Sequence, residues 1–185
     1  MGSGKMLLLW LLLVLTGGCS GMMDDIAPSG TDKRPVVACG ITGPYVCQDA
    51  PDFTLSDTLG NMVTLSSVVL SPGVRGTVIY FTMWCPVCDM HISNMRSSVV
   101  PNYPDVRFFL VDYVSGSVAN ARNAELSNGY SGSGFTVLVD TNQAVLGSFH
   151  ATMGTTVIID ATGVVRMNED YKDGSRLKSA LSALP

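Results

Sequence analysis

The sequence predicts an α/β fold: a central mixed sheet flanked by helices, with an N-terminal β-hairpin extension. Three observations predict it. Two short β-branched and aromatic runs, residues 77–83 and 106–111, are bounded by turn residues and read as buried strands. Between them, from Pro86 to about Val100, Cys88, Ile92, Met95 and Val99 recur on one helical stripe. That β-α-β order implies parallel strands covered on both faces. Near the C-terminus, two further strands joined by Asp160-Ala161-Thr162-Gly163 read as a hairpin, which adds antiparallel strands.

The remaining elements follow in order. Phe53-Thr54-Leu55-Ser56 and Met62-Val63-Thr64-Leu65 flank Asp57-Thr58-Leu59-Gly60-Asn61 and predict the N-terminal hairpin. Residues 66–70 predict a helical turn stopped by Pro72-Gly73. The helix from Pro86 is expected to end at Pro101, because the residue before a proline avoids the helical region. Residues 118–126 predict a helix closed by Asn128-Gly129. Residues 136–139 form a short strand and residues 142–149 a short helix; Leu177, Leu181 and Leu184 line a terminal helix.

The chemistry concentrates in Trp84-Cys85-Pro86-Val87-Cys88. Two cysteines three apart also occur in zinc knuckles. Here, however, Cys85 falls where a strand hands over to a helix. Unpaired N–H groups and the positive end of the helix dipole lie there, and both favour a thiolate. Cys85 is therefore expected to be the attacking thiol. Cys88, one turn on, is expected to resolve the mixed disulfide.

The beginning of the chain reads as an export signal. Lys5 precedes an apolar run from Met6 to Leu15, followed by Thr16-Gly17-Gly18-Cys19. The run is too short to span a bilayer as a mature helix. The Gly-Gly-Cys ending resembles a bacterial lipobox, with Cys19 as the lipidated residue, although Thr16 stands where leucine is usual. The expected organisation is a signal peptide at 1–18, a tether and arm at 19–49, and one domain at 50–185. Four cysteines remain beyond Cys19, an even number suited to an oxidising compartment. Cys39 and Cys47 enclose a Gly- and Pro-containing loop and are expected to form a structural disulfide; a second redox pair is the alternative. The net charge of -4 without a basic cluster argues against nucleic-acid binding.

Three segments carry a family resemblance: Ala50-Pro51-Asp52-Phe53-Thr54-Leu55, Tyr80-Phe81-Thr82-Met83-Trp84-Cys85-Pro86-Val87-Cys88, and Thr155-Thr156-Val157-Ile158-Ile159-Asp160 with Gly163 behind. On these the chain resembles the membrane-tethered thiol–disulfide oxidoreductases of the TlpA/ResA group, within the redoxin and AhpC/TSA superfamily. The resemblance implies a thioredoxin-like fold and a redox-active Cys85–Cys88 disulfide with no other cofactor. Trp84, Pro86, Met153, Gly154 and Thr155 would surround it. It also implies cysteine-containing protein substrates, a membrane dithiol electron donor, and a place in the bacterial cell envelope, lipid-anchored and facing the periplasm or exterior. The resemblance favours a reductant.

The chain departs from that group at Gly154, where the family has a cis-proline facing the cysteines. A cis bond costs about 2.5–4 kcal/mol away from proline. A trans peptide and a looser loop are expected, with Gly154→Pro tolerated. Ile79 occupies the place of the buried acid of cytoplasmic thioredoxins, which leaves no carboxylate beneath Cys85.

Two alternatives stand beside this reading. A peroxiredoxin-type thiol peroxidase would use Thr82, three residues before Cys85, but Val78 replaces that family's proline and no active-site arginine is evident. A copper-binding protein would draw on His91, His150, Met83, Met90, Met95 and Met153. Methionine fills cores well and a lone histidine is usually solvated, so no metal site is expected.

Overall fold

In this computed structural model the described residues are 37–185, and all that follows concerns them. The expected signal peptide, Cys19 and most of the tether lie outside the described residues.

Seven strands form one mixed sheet in the order β2-β1-β5-β4-β3-β6-β7. Strands β1 (Thr54–Asp57) and β2 (Met62–Thr64) make the N-terminal hairpin and pair antiparallel with each other. The hairpin joins the sheet through β1 and β5 (Phe135–Val139). The centre is parallel: β3 (Gly76–Thr82) lies beside β4 (Val106–Asp112), and β4 beside β5. On the other side, β6 (Thr155–Asp160) and β7 (Val165–Asp170) add antiparallel strands. Five helices accompany the sheet: α1 (Leu65–Val69), α2 (Pro86–Ser98), α3 (Val118–Ser127), α4 (Ala144–Ser148) and α5 (Ser175–Ser182).

Side-chain alternation along β3 divides the interior in two. Val78 and Tyr80 face a core built with Cys88, Ile92 and Met95 of α2 and Leu177 and Leu181 of α5. Ile79 and Phe81 face a second core with Leu65 and Val69 of α1, Val145 of α4, and Phe149 just beyond it. All of β3 is buried, as a central strand covered on both faces must be. The stripe Cys88, Ile92, Met95 and Val99 is fully buried, which explains why the helical period was so clear.

Helix α2 ends at Ser98, before Pro101. Pro101 sits instead inside a 3₁₀ turn, Val100–Asn102, where a proline in the first positions loses no hydrogen bond.

Candidate active site

The site forms at the C-terminal end of β3. Trp84 breaks the strand with a positive φ of 58°, a conformation costly for a bulky residue. Its neighbours hold it there. The Trp84 backbone N–H donates to the Thr82 hydroxyl at 3.1 Å, and the indole N–H donates to buried Asp112 at 2.7 Å. The indole also stacks on Tyr130, with ring centroids 6.3 Å apart. Asp112 is anchored by the N–H groups of Val114 and Ser115, each at 3.0 Å.

This turn places Cys85 at the N-cap of α2. Its Sγ accepts the Cys88 N–H at 3.3 Å, and its carbonyl accepts the Asp89 N–H at 2.9 Å. Pro86 follows at the first helical position, where its missing N–H costs nothing. The two sulfurs are 2.8 Å apart, with Cys85 partly exposed and Cys88 fully buried. Negative charge on this pair is met by the amino end of a 13-residue helix. Burial pushes the Cys88 thiol up, but hydrogen bonds from Cys85, the Met83 and Cys85 backbone and the Thr82 hydroxyl outweigh it and hold it below its ordinary value. Exposure selects Cys85 as the sulfur a partner can reach. Around it Met83, Val87 and Met90 are exposed, and Met153 packs partly buried against the core beneath.

Beneath the pair lies Tyr80, which the sequence pattern does not single out. Ile79, at the place of the thioredoxins' buried acid, points into the opposite core. Tyr80 points toward Cys88 instead and is fully buried. Its hydroxyl meets Nδ1 of His91 at 3.0 Å. His91 lies three residues beyond Cys88 on α2 and is buried, not solvated as expected for a lone histidine. Burial pushes the His91 imidazole below its ordinary value. Burial, followed by the charge and hydrogen bond of Cys88, pushes the Tyr80 phenol far up. The period of β3 puts residues 79 and 80 on opposite faces, but a strand buried on both sides carries no polar–apolar pattern to say which of them meets Cys88.

Gly154 lies against this pair. A side-chain β-carbon built on it would sit 3.8 Å from Nδ1 of His91 and 3.9 Å from the Tyr80 hydroxyl. Among the described residues every peptide is trans. The expected tolerance of proline at 154 does not hold. Gly154 has φ +87°, outside the range proline can adopt. Its N–H donates to Phe81 at 3.0 Å, and its carbonyl accepts from the Tyr171 N–H at 2.8 Å and the Thr156 hydroxyl at 3.2 Å. Thr155 is buried, with its hydroxyl between the Thr152 N–H and Asp170.

Cys39 and Cys47 are joined in a disulfide. They belong to an arm that runs beside the start of β7, where the Cys47 N–H donates to Val165 at 2.9 Å. Val165 pairs with Ile159 and Ile159 with Thr77, three residues back along β3 from Tyr80. That is about 10 Å along the strand. The two cysteine pairs thus attach toward opposite ends of the sheet.

The alternative chemistries find less support. The Thr82 hydroxyl already accepts the Trp84 backbone N–H at 3.1 Å. Arg75, Arg122, Arg166 and Arg176 pair with Asp105, Glu125, Asp160 and Glu169, while Arg96 reaches Gly129. Of the candidate soft ligands, Met95 is buried in the core, and His150 meets the Tyr45 hydroxyl at 3.3 Å. Among the described residues no three His, Cys, Asp or Glu side chains converge on one point.

A central mixed sheet with a dithiol at the head of the helix after β3 defines a thioredoxin-like thiol–disulfide oxidoreductase. The chain belongs to the AhpC/TSA family, which matches residues 46–168. No curated protein matches the chain in sequence. Among solved structures it is similar to an uncharacterized conserved protein from Geobacillus kaustophilus, at 23% identity and TM-score 0.62, covering 76% of this chain and 82% of that one. It is similar to a secreted disulfide oxidoreductase of Mycobacterium tuberculosis described as homologous to E. coli DsbE, at 20% identity and TM-score 0.55, covering 71% and 96%. Peroxidoxin BcpB of the same organism is 21% identical, with TM-score 0.57 and coverage of 73% and 92%.

Proposed function

We propose that this protein exchanges disulfides with exported, cysteine-containing proteins through Cys85 and Cys88, and that it acts as their reductant. The observation that carries this reading is the asymmetry of the pair: Cys85 partly exposed at the helix N-cap, Cys88 buried behind it. In the first step the Cys85 thiolate attacks a substrate disulfide, forming a mixed disulfide and releasing one substrate thiolate. In the second, the Cys88 thiolate attacks Cys85 Sγ, closing the Cys85–Cys88 disulfide and releasing the other thiolate. Two electrons leave the dithiol, and the two released thiolates take up the two protons it has lost. A membrane dithiol protein then restores the pair.

The exposed Met83, Val87 and Met90 give a substrate chain an apolar rim to rest on. Export is supported by the basic-apolar N-terminus, the disulfide between Cys39 and Cys47, and the likeness to a secreted oxidoreductase. Among the described residues no helix is long and apolar enough to cross a membrane. Lipidation at Cys19 would supply the attachment.

The test is trapping. The Cys88→Ser protein should accumulate mixed disulfides on Cys85 with envelope proteins, and redox titration should give a potential more reducing than glutathione. Failure to trap any client, combined with faster turnover of hydrogen peroxide than of protein disulfides, replaces this reading with the peroxidase one. Cys19→Ala should release the protein from the membrane fraction.

A further inference from the structure

Resting on the dithiol exchange just proposed, the geometry points to Tyr80 and His91 as a buried proton relay for Cys88. Cys88 is fully buried and must lose its proton before it can attack Cys85. No carboxylate stands beneath it, because the position expected to carry one is Ile79, on the far face of the sheet. Asp112, the buried acid at the end of β4, has its oxygens engaged by Trp84, Val114 and Ser115. Of the β3 hydroxyls on this side, that of Thr82 accepts the Trp84 N–H at 3.1 Å, while that of Tyr80, in the same buried core as Cys88, is bonded at 3.0 Å to Nδ1 of His91, three residues beyond Cys88 on α2.

The roles follow from the donor inventory. Neutral His91 with its proton on Nε2 accepts at Nδ1 from the Tyr80 O–H. The phenol oxygen then has a free lone pair for the Cys88 S–H. As Cys88 attacks, its proton passes to the Tyr80 oxygen while the phenol proton passes to Nδ1 of His91. Tyr80 ends neutral, as its burial requires, and His91 ends as an imidazolium. The cation gives its proton to solvent at the rim of the core, where His91 keeps 8% of its surface exposed. On reduction of the disulfide the same path runs backwards. In this relay Tyr80 is the group that exchanges the proton with Cys88, whose core it shares; His91 acts through Tyr80 and positions it.

Other ionisable groups face the pair. Cys85 and Cys88 lie on the side of α2. From the end of β7, Tyr171 packs on His91 with ring centroids 4.8 Å apart and bonds Asn94 at 2.6 Å. Burial, and then Asp173, push the Tyr171 phenol up to about 12, so it stays neutral in the working range. Asp170 accepts from Thr155 at 3.1 Å, and exposed Lys172 and Asp173 follow Tyr171. From the loop before β6, Gly154 brings only backbone against His91, which leaves the pair uncrowded.

The experiment measures release of a mixed disulfide formed on Cys85 with a small aromatic thiol, as a function of pH, in wild type, Tyr80→Phe and His91→Gln. Glutamine can still accept the Tyr80 hydrogen bond but cannot take a proton. Both variants should resolve the mixed disulfide about 100-fold more slowly below neutrality, the scale of general-base catalysis. The deficit should vanish at alkaline pH, where Cys88 is already a thiolate. Alkylation of Cys85 in a Cys88→Ser background should be unchanged by either substitution. A deficit equal at all pH values, or none, overturns the relay. If Tyr80→Phe does not fold, the His91→Gln profile decides alone. The dithiol reading fails separately, if Cys85→Ser keeps full exchange activity.

Discussion

The two cysteine pairs of this protein both close short spans, eight residues apart in one and three in the other, and their surroundings are opposite. Cys39 and Cys47 sit in an arm tied to the β6–β7 hairpin by backbone hydrogen bonds: Cys47 N–H to Val165, Val165 N–H to Gln48 and Ala50 N–H to Gly163. No helix begins there to face the sulfurs, and the bond between them closes a short loop. Cys85 and Cys88 sit at the mouth of α2 with N–H groups, a hydroxyl and a phenol arranged about the sulfurs. The difference teaches that a spacing of cysteines says little until the element beneath it is known. Left-handed backbone occurs at both pairs, at Trp84 (φ 58°) beside the free one and at Cys47 (φ 73°) within the bonded one, so backbone strain does not tell them apart.

The sharpest way to break the comparison is to exchange roles by mutation. Cys85→Ser should lower insulin disulfide reduction by at least about 1,000-fold, the loss expected when a nucleophile is removed. Its melting temperature should stay within a few degrees of wild type. An active Cys85→Ser protein would move the chemistry elsewhere, with Cys39–Cys47 the first place to look.

Gly154→Pro should be the most destabilising single change near the site. It demands φ near -65° where the chain has +87°, and it deletes the N–H donated to Phe81. A loss of about 3 kcal/mol or more in denaturant unfolding is expected. Gly154→Ala keeps that N–H and finds ordinary contact space, so it should lose only about 1 kcal/mol for the left-handed backbone. Equal stability of the two variants would show that φ at 154 is not fixed.

Removing the other pair should do the reverse of Cys85→Ser. The double variant Cys39→Ser, Cys47→Ser should lose about 2–3 kcal/mol of stability, the loop-closure value for so short a ring. Exchange activity at low temperature should persist. Loss of activity without loss of stability would instead mark the arm as part of the electron path.

Much of this was legible in the chain. The strand β3, the stripe of α2 and the hairpin at Asp160–Gly163 announced themselves because each obeys one period and ends at a turn residue. Cys85 and Cys88 were legible because a reactive thiol needs a helix N-terminus and the sequence shows where one begins. Tyr80 was not singled out, and His91 was read only as a candidate soft ligand or a solvated histidine. The place of the thioredoxins' buried acid falls on residue 79, whereas the face of a strand depends on its own register, and here Ile79 lies in the core opposite the one that holds Cys88. The constraint at Gly154 was also hidden. Glycine permits many conformations, and only the backbone reveals that this one is left-handed and bonded on both sides.

The smallest effect expected is a pH-dependent one at the end of the sheet remote from the thiols. Asp160 closes β6 with a fully buried side chain. Its carboxylate accepts from the Thr162 N–H at 2.8 Å, the Thr162 hydroxyl at 2.6 Å and the Val164 N–H at 3.1 Å, and Arg166 pairs with it. Burial pushes the acid up, but the Thr162 and Val164 donors and Arg166 outweigh it and hold it below the usual carboxylate range. A folded value below the unfolded one means that ionised Asp160 stabilises the fold above the unfolded value, roughly pH 4. That contribution is lost as pH falls through the folded value. Arg166 is 42% exposed, so solvent weakens its share of the effect. Asp160→Asn should therefore lower stability by about 1–2 kcal/mol near neutrality. The gap should close in acid, where both proteins carry a neutral group at this turn. Unfolding in urea at a series of pH values gives the difference directly. A gap that stays constant into acid would assign the loss to altered hydrogen-bond geometry, with ionisation of Asp160 contributing nothing.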